Sequence, residues 1–546
     1  MIFLALINFL IIFSIFGYSY LFKTIFFRDK IFFITNLDFF YGLILLYLIS
    51  LLLHFFAPLA IYSEFVILIG LILSFYSFFK NKLKISILRY LIIIFIFSFI
   101  AYYGKNNVDS PLYHLQIIKW LTEYKLIFGL ANLEWRLGVN YPWYSLISLL
   151  NIDFFQYSNK YYVSLIFFAF LFYETLNKNK ILKSSIFLSL AFSYLFIYSL
   201  IHPYHYGVVL NHIGNPEKDL FNMLLFISLV YTYLRITELK NLNDQNNLIS
   251  ILFIVLMLTL MQTTIYLFIS IVFIFMLFDI IKLKQHIKII IILSFIFLLW
   301  IFKSIATNGC LIFQIPLTCL NTDWTIDLST LKFHIDETKR YSRSLPSLEM
   351  INDTYKTIET FLWFKSWFKN YFLTTALHQI NSILLIISSI LGIYLLIKKK
   401  LKIVKYDVLL ILSILFVNLT CMLLIPEIRY YWGPHIALSI ICISLIIWSF
   451  NINLLEKYNF YQITPIITLL LFVSIKVIPM FNYSDLVNLP IRVHDYSSKK
   501  KVGEFDGFEV FTNNWQCADI KEICVNTPKD EYYFSYVYKF LHIKNK

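Results

Sequence analysis

The stretch ALHQINSILLIISSILGIYLLIKKKLKIVK, residues 376–405, decides the fold. Residues 376–397 contain no Lys, Arg, Asp or Glu. As a helix rising about 1.5 Å per residue, a run of that length spans roughly 33 Å, the thickness of a bilayer's hydrocarbon core. Lys398, Lys399, Lys400, Lys402 and Lys405 follow at once. Cytoplasmic loops collect such clusters, so the stretch reads as a crossing helix whose C-terminal end lies inside the cell.

Outward from this stretch, apolar runs and short basic loops alternate through most of the 546 residues. Only 14% of residues are charged while 59% are hydrophobic, and mean hydropathy is +0.73. A water-soluble domain carries charge on about a quarter of its residues. The composition therefore excludes an ordinary soluble globule, a disordered chain and a small disulfide scaffold, and leaves an all-α polytopic membrane protein in contact with the lipid bilayer. The net charge of +14 resides mainly in the short loops, where it sets orientation; no nucleic-acid partner is implied. The 56 Phe and 39 Tyr accompany abundant Ile, Lys and Asn, a set that biased codon usage produces without any recognition role.

Charge then orders the spans. The run 2–21 has no basic residue before it and no small-residue cleavage pattern after it, so it reads as an uncleaved first crossing with an outside N-terminus. Further runs lie at 38–56, 63–79, 87–103, 161–176, 182–200, 220–237, 288–304, 376–397, 407–425, 433–450 and 461–479. The run 249–281 is too long for one crossing and is read as a hairpin broken at Gln262, Thr263 and Thr264. Residues 142–155 are read as a re-entrant helix, because a full crossing there would turn Lys178, Lys180 and Lys183 outward. The total is about fourteen crossings by the hydropathy and charge rules. The chain divides into spans (1–103), a first outside loop with amphipathic and re-entrant helices (104–160), central spans (161–304), a second outside loop (305–375), C-terminal spans (376–480) and a small outside α/β tail (481–546).

Six cysteines fit this map. Cys421 and Cys442 fall in or beside spans and read as packing residues. Cys310 and Cys319 share the second outside loop, and Cys517 and Cys524 share the tail; disulfides suit both pairs better than zinc, whose ligands come in closer spacings.

Three outside segments carry chemistry-bearing side chains at span ends, a placement suited to an amphiphilic substrate. The first runs from Asp109, Ser110, Pro111, Tyr113 and His114 to a glycine-punctuated stretch, Gly129 through Asn140, that holds Asn132, Arg136 and Asn140. Asp109 before Pro111 also suits a plain helix N-cap. The second holds His202, His205, His212, Glu217 and Asp219, whose imidazoles and carboxylates offer ligands for a divalent cation such as magnesium or manganese; residues 215–219 equally suit a turn and a helix start. The third is Pro426, Glu427, Ile428, Arg429, Tyr430, Tyr431, Trp432, Gly433, Pro434, His435, where Arg429 is either an interfacial anchor or a bidentate clamp on a lipid phosphate. Tyr113, His114, Asn132, Arg136, Asn140, Arg429 and His435 are the candidate substrate-binding residues.

The run Asp109, Tyr113, His114, Trp120, Gly129 to Leu133, Arg136, Gly138 and Asn140, with Arg429 after Pro426, resembles an uncharacterised bacterial family of multispanning proteins related to the GT-C membrane glycosyltransferases. Gly309, the Cys310 to Cys319 stretch and Trp324 are similar to that family as well. The resemblance implies a GT-C-like fold in a bacterial inner membrane and a polyprenyl-phosphate-linked sugar as donor. It also implies inverting transfer to an acceptor at the periplasmic or extracellular face. It makes Asp109 the catalytic carboxylate and Glu217 or Asp219 a second acidic site. Unlike better known members, this chain has three spans before the one that carries the motif.

Two other functions compete. A transporter or flippase of lipid-linked saccharide calls for ionisable residues within spans and related halves, and the sequence offers few of the former and no clear repeat. An O-antigen polymerase-like or ligase-like enzyme shares outside loops rich in Arg and His but lacks an early acidic motif of this kind.

Overall fold

The structure is a computed structural model that describes residues 1–26, 36–81, 87–104, 109–154, 157–158, 163–176, 182–201, 212–239, 245–261, 287–343, 363–374, 376–398, 405–449, 460–482, 499–505, 508–513, 517, 523–525, 533–537 and 540–544. Apolar sequence in lipid must satisfy its own backbone polar groups, and these residues do so as helices. In chain order they are α1 (Ile2–Phe26), α2 (Asn36–His54), α3 (Ala60–Asn81), α4 (Ile87–Tyr102), α5 (Leu115–Glu123), α6 (Pro142–Leu149), α7 (Val163–Leu176), α8 (Lys183–Ile201) and α9 (Lys218–Leu239). There follow α10 (Gln245–Met261), α11 (Ile287–Asn308), α12 (Leu328–Ser342), α13 (Trp363–Trp367), α14 (Ala376–Ile397), α15 (Lys405–Leu424), α16 (Trp432–Ser449) and α17 (Phe460–Phe472).

Among the described residues, nine helices are long and apolar enough to cross a membrane, with shorter apolar helices at Phe39–His54, Leu88–Tyr102 and Val163–Leu176. The chain is an all-α polytopic membrane protein; the described residues do not reach the expected count of fourteen. α10 covers the first leg of the expected 249–281 hairpin, and the break at Gln262 to Thr264 lies outside the described residues.

Small residues let the N-terminal helices close up. A Cβ on Gly17 would stand 1.8 Å from the Gly70 carbonyl oxygen, and one on Gly42 would stand 2.1 Å from that of Ile15, so α1 packs backbone against backbone on α3 and α2. Phenylalanines fill the next layer, with Phe39 stacked on Phe170 at 4.4 Å and on Phe167 at 5.6 Å. α9 is buried on nearly every side, whereas α14 presents Ile383, Ile386, Ile390 and Ile393 outward, as a lipid-facing helix does.

Segments between the long apolar helices fold onto the bundle. All eight residues of α6 are buried. At about 1.5 Å per residue the helix measures roughly 12 Å, too short to cross, and it is shorter than the re-entrant helix expected over 142–155. Cys310 bonds Cys319 and Cys517 bonds Cys524, while Cys421 and Cys442 are free thiols.

The tail was expected to be α/β, and only part of it lies among the described residues. Among its described residues the secondary structure is strand: β1 (Lys499–Phe505) and β2 (Phe508–Asn513) pair antiparallel, β3 (Ile523–Cys524) joins β2 in parallel, and β4 (Tyr533–Val537) pairs antiparallel with β5 (Phe540–Lys544). Short runs rich in Phe, Tyr and Val favour pleated pairing over helix. A two-residue antiparallel ladder, Asp153–Phe154 with Tyr157–Ser158, stands apart in the first loop.

Candidate active site

The glycine-punctuated stretch 129–140 is held by the C-terminal end of α11, whose last carbonyls need partners from outside the helix. Gly129 N–H donates to the Ala306 carbonyl (2.8 Å) and the Trp324 indole to that of Ile305 (2.9 Å). The Asn308 amide donates to the Gly138 carbonyl (2.9 Å). Gly129 sits at φ +71°, a left-handed conformation that suits glycine, and a Cβ there would lie 2.1 Å from the Ile543 carbonyl oxygen of β5. The tail strand closes the turn by donating Ile543 N–H to Phe128 O (2.8 Å).

That clamp uses two of the expected substrate-binding residues. The Asn132 amide donates to the Trp324 and Ile543 carbonyls (2.9 and 3.0 Å), and Asn140 exchanges hydrogen bonds with Trp300, amide to carbonyl at 2.9 Å and indole to carbonyl at 2.7 Å. Both amides bind backbone. His435 also has a different setting, within α16 among His378 (5.3 Å between ring centres) and Tyr431 (5.6 Å).

Asp109, Tyr113, His114, Arg136, Glu217, Asp219 and Arg429 come together where α4 has ended, α9 begins and α15 turns into α16. Asp109 occupies the N-cap position of a π-helical turn, Ser110–His114, with Pro111 in its first turn. Its side chain caps nothing there, and Oδ2 instead accepts from Arg429 Nη1 at 2.6 Å, from 320 positions along the chain. Arg429 Nε lies 2.5 Å from Glu427 Oε1, so one guanidinium faces two carboxylates. The Trp367 indole of α13 donates to the Pro426 carbonyl (2.7 Å) and fixes the loop just ahead of Glu427.

The second segment joins from the other side. Ser110 Oγ donates to Asn215 Oδ1 (3.3 Å), tying the two loops. His212 Nδ1 and Glu217 Oε2 are 2.5 Å apart, with the imidazole edge-on to Trp432 at 4.8 Å. Lys218 Nζ lies 3.4 Å from Asp219 Oδ1 and over the rings of Tyr141 (4.6 Å) and Tyr430 (5.3 Å). Arg136, paired with Glu134 at 3.2 Å, lies over the Tyr113 ring at 5.9 Å.

Burial and charge separate the carboxylates. Burial works against an ionised Asp109, yet Arg429, with help from His114 and Arg136, outweighs it and holds the pKa below 3.8. Burial pushes Glu427 up to about 7; Asp219 and Asp109 push the same way, and Arg429 only partly opposes them. The site therefore keeps one carboxylate ionised and another poised to titrate near neutrality, the division of labour that acid–base chemistry requires. Burial lowers the His114 pKa against the pull of Asp109, Glu217 and Asp219, and its Nδ1 has no hydrogen-bond partner among the described residues. Burial also opposes charge on His212, but Glu217 prevails and raises its pKa.

The residues do not fit the expected cation. Glu217 is engaged by His212 and Asp219 faces Lys218, and among the described residues no three His, Cys, Asp or Glu side chains group as a metal site requires. His202 and His205 lie outside the described residues.

Glu427, His212 and Lys218 belong to the cluster without having stood out in the sequence as substrate-binding or catalytic. Glu427 precedes a 3-10 turn, Ile428–Tyr431, and pairs with Arg429 within it. No curated protein and no solved structure matches the chain. A family model described as a domain of unknown function, DUF8201, matches residues 1–436 and takes in every side chain of the cluster, and the chain belongs to that family.

Proposed function

We propose that the chain is a GT-C-like membrane glycosyltransferase that moves a sugar from a polyprenyl-phosphate-linked donor to an acceptor hydroxyl at the outer face of a bacterial inner membrane, within a bundle of about fourteen crossings. The observation that carries this is the ion pair between Asp109 and Arg429 at span ends, a base and an anion binder in direct contact. In a single displacement the acceptor oxygen bonds to the anomeric carbon as that carbon's bond to the phosphate oxygen breaks, with inversion. The hydroxyl proton passes to Asp109, and the charge growing on the departing polyprenyl phosphate is met by Arg429 and Arg136. As the phosphate takes up the Arg429 guanidinium, Asp109 loses its counter-ion and becomes the stronger base.

Asp109→Asn keeps the shape and removes the base. Transfer of labelled sugar by the variant should fall by about 100-fold or more while the protein still inserts and purifies as a single species; undiminished transfer ends the assignment. A flippase would yield no transfer product in either protein, so the same assay separates the two readings.

A further inference from the structure

α11, long and apolar enough to cross the membrane, turns Ile291, Phe295, Leu298 and Phe302 outward. They fall at steps of four, three and four positions, so they form a single lipid-facing stripe. The apolar surface does not stop where the helix does. Gly309, at φ +81°, turns the chain, and the disulfide from Cys310 to Cys319 closes a loop on which Leu311 and Leu317 are exposed, Leu317 at 97%, with Leu320 exposed just beyond it. Residues 304–322 contain no Lys, Arg, Asp or Glu. An exposed apolar surface of this kind marks contact with a membrane or with another protein.

The loop's backbone and lack of charge favour the membrane. In lipid a chain must satisfy its own N–H and C=O groups, and protein interfaces carry a polar rim that this loop lacks. Leu311 N–H donates to the Thr318 carbonyl (3.0 Å), Ile315 N–H to that of Ile312 (3.2 Å) and Thr318 N–H to that of Ile315 (2.9 Å). Cys319 N–H donates to the Pro316 carbonyl (3.1 Å) and Leu320 N–H to that of Gly309 (2.8 Å), while Pro316 has no N–H to place. Thr318, which carries the one hydroxyl between the two cysteines, turns it inward to accept from Ile312 N–H (3.1 Å) and donate to the Ile315 carbonyl (2.8 Å).

We propose that this disulfide-closed loop is a foot seated in the bilayer, with Leu311 and Leu317 among the upper acyl chains of the leaflet at which α11 ends. The occupant is lipid because the loop continues the lipid-facing stripe of α11. The foot also bears on the candidate site. The Asn308 amide holds the Gly138 carbonyl, and a Cβ on Gly138 would stand 3.1 Å from the Phe313 ring, so the depth of the foot sets the height of residues 129–140 above the lipid. This inference concerns membrane contact and stands whether or not the site transfers sugar.

The test uses the full chain in phosphatidylcholine vesicles doped with a phosphatidylcholine whose acyl chain carries a diazirine. After photolysis, peptide mass spectrometry locates the lipid-borne label, and a parallel sample takes a water-soluble diazirine. Leu311 and Leu317 should take the lipid-borne label as the exposed isoleucines of α14 do, while the water-soluble reagent should label the exposed Asp323 and spare both leucines. Leu317→Glu should cut the lipid-borne label on the loop about fivefold or more while that on α14 stays as in wild type, which shows that the variant is still inserted. Labelling of the leucines from water would overturn the proposal. Labelling from neither side would also overturn it, because a second copy or another protein would then cover the loop. Lipid-borne label undiminished in Leu317→Glu would contradict the seating of that side chain.

Discussion

Asp109, Arg429 and Glu427 form a line in which one guanidinium serves two carboxylates, and the line has a pH signature. Glu427 rises from 4.5 to about 7 in the folded protein, so its protonated form is favoured there, and the cost of ionising it grows as pH climbs from 4.5 through about 7. His212, raised above 6.5, contributes stability that is complete below 6.5 and lost as pH rises through its folded value. Asp109 acts at the other end, its contribution disappearing as pH falls below 3.8. Wild-type Tm should therefore decline as pH climbs from about 5 through about 7, and the Tm advantage of Glu427→Gln over wild type should widen over that range and stay level above it. A constant difference would place the titration elsewhere. In sequence Asp109 before a proline suited a helix cap as well as a site residue; in the fold its side chain caps nothing there and pairs with Arg429. Glu427 was obscured because the carboxylates that raise its pKa arrive from distant loops. Asn132 and Asn140 misled because an amide that binds a ligand and one that binds a carbonyl have the same neighbours in sequence.

At the scale of elements, the site depends on the clamp of residues 129–140 on the end of α11. Gly129→Ala puts a Cβ against the Ile543 carbonyl at a positive φ, so it should cost about 1 kcal/mol or more and loosen the tail's grip on the turn. A lower Tm together with faster protease cleavage in the tail checks this, and an unchanged cleavage rate would show that the strand does not depend on that turn. The amphipathic pattern of α5 and the two disulfide pairs were readable, because period and spacing are local properties. The short α6 was not. The bundle buries every residue of α6 and so sets its form, whereas β1 and β2 pair across only two residues, Phe505 opposite Phe508, a local hairpin.

For the whole molecule, hydropathy and charge conveyed the class and most helix positions, because a bilayer imposes one length and one handling of basic loops. The number of crossings was less legible, since apolar helices of sixteen or fewer residues at Leu88–Tyr102 and Val163–Leu176 carry a weaker signal than α1 or α11. The orientation can be checked with single cysteines and a membrane-impermeant thiol reagent: Asp323→Cys should react in intact cells, and Lys400→Cys only after lysis. The reverse pattern would turn the molecule over. The most direct measurement of the central claim is a cryo-EM map of the protein in a lipid nanodisc, loaded with a non-hydrolysable polyprenyl-phosphate sugar analogue. Phosphate density against Arg429, with the anomeric carbon facing Asp109, is the expected result. A map with the analogue absent from that junction, or threaded through the spans, would contradict it.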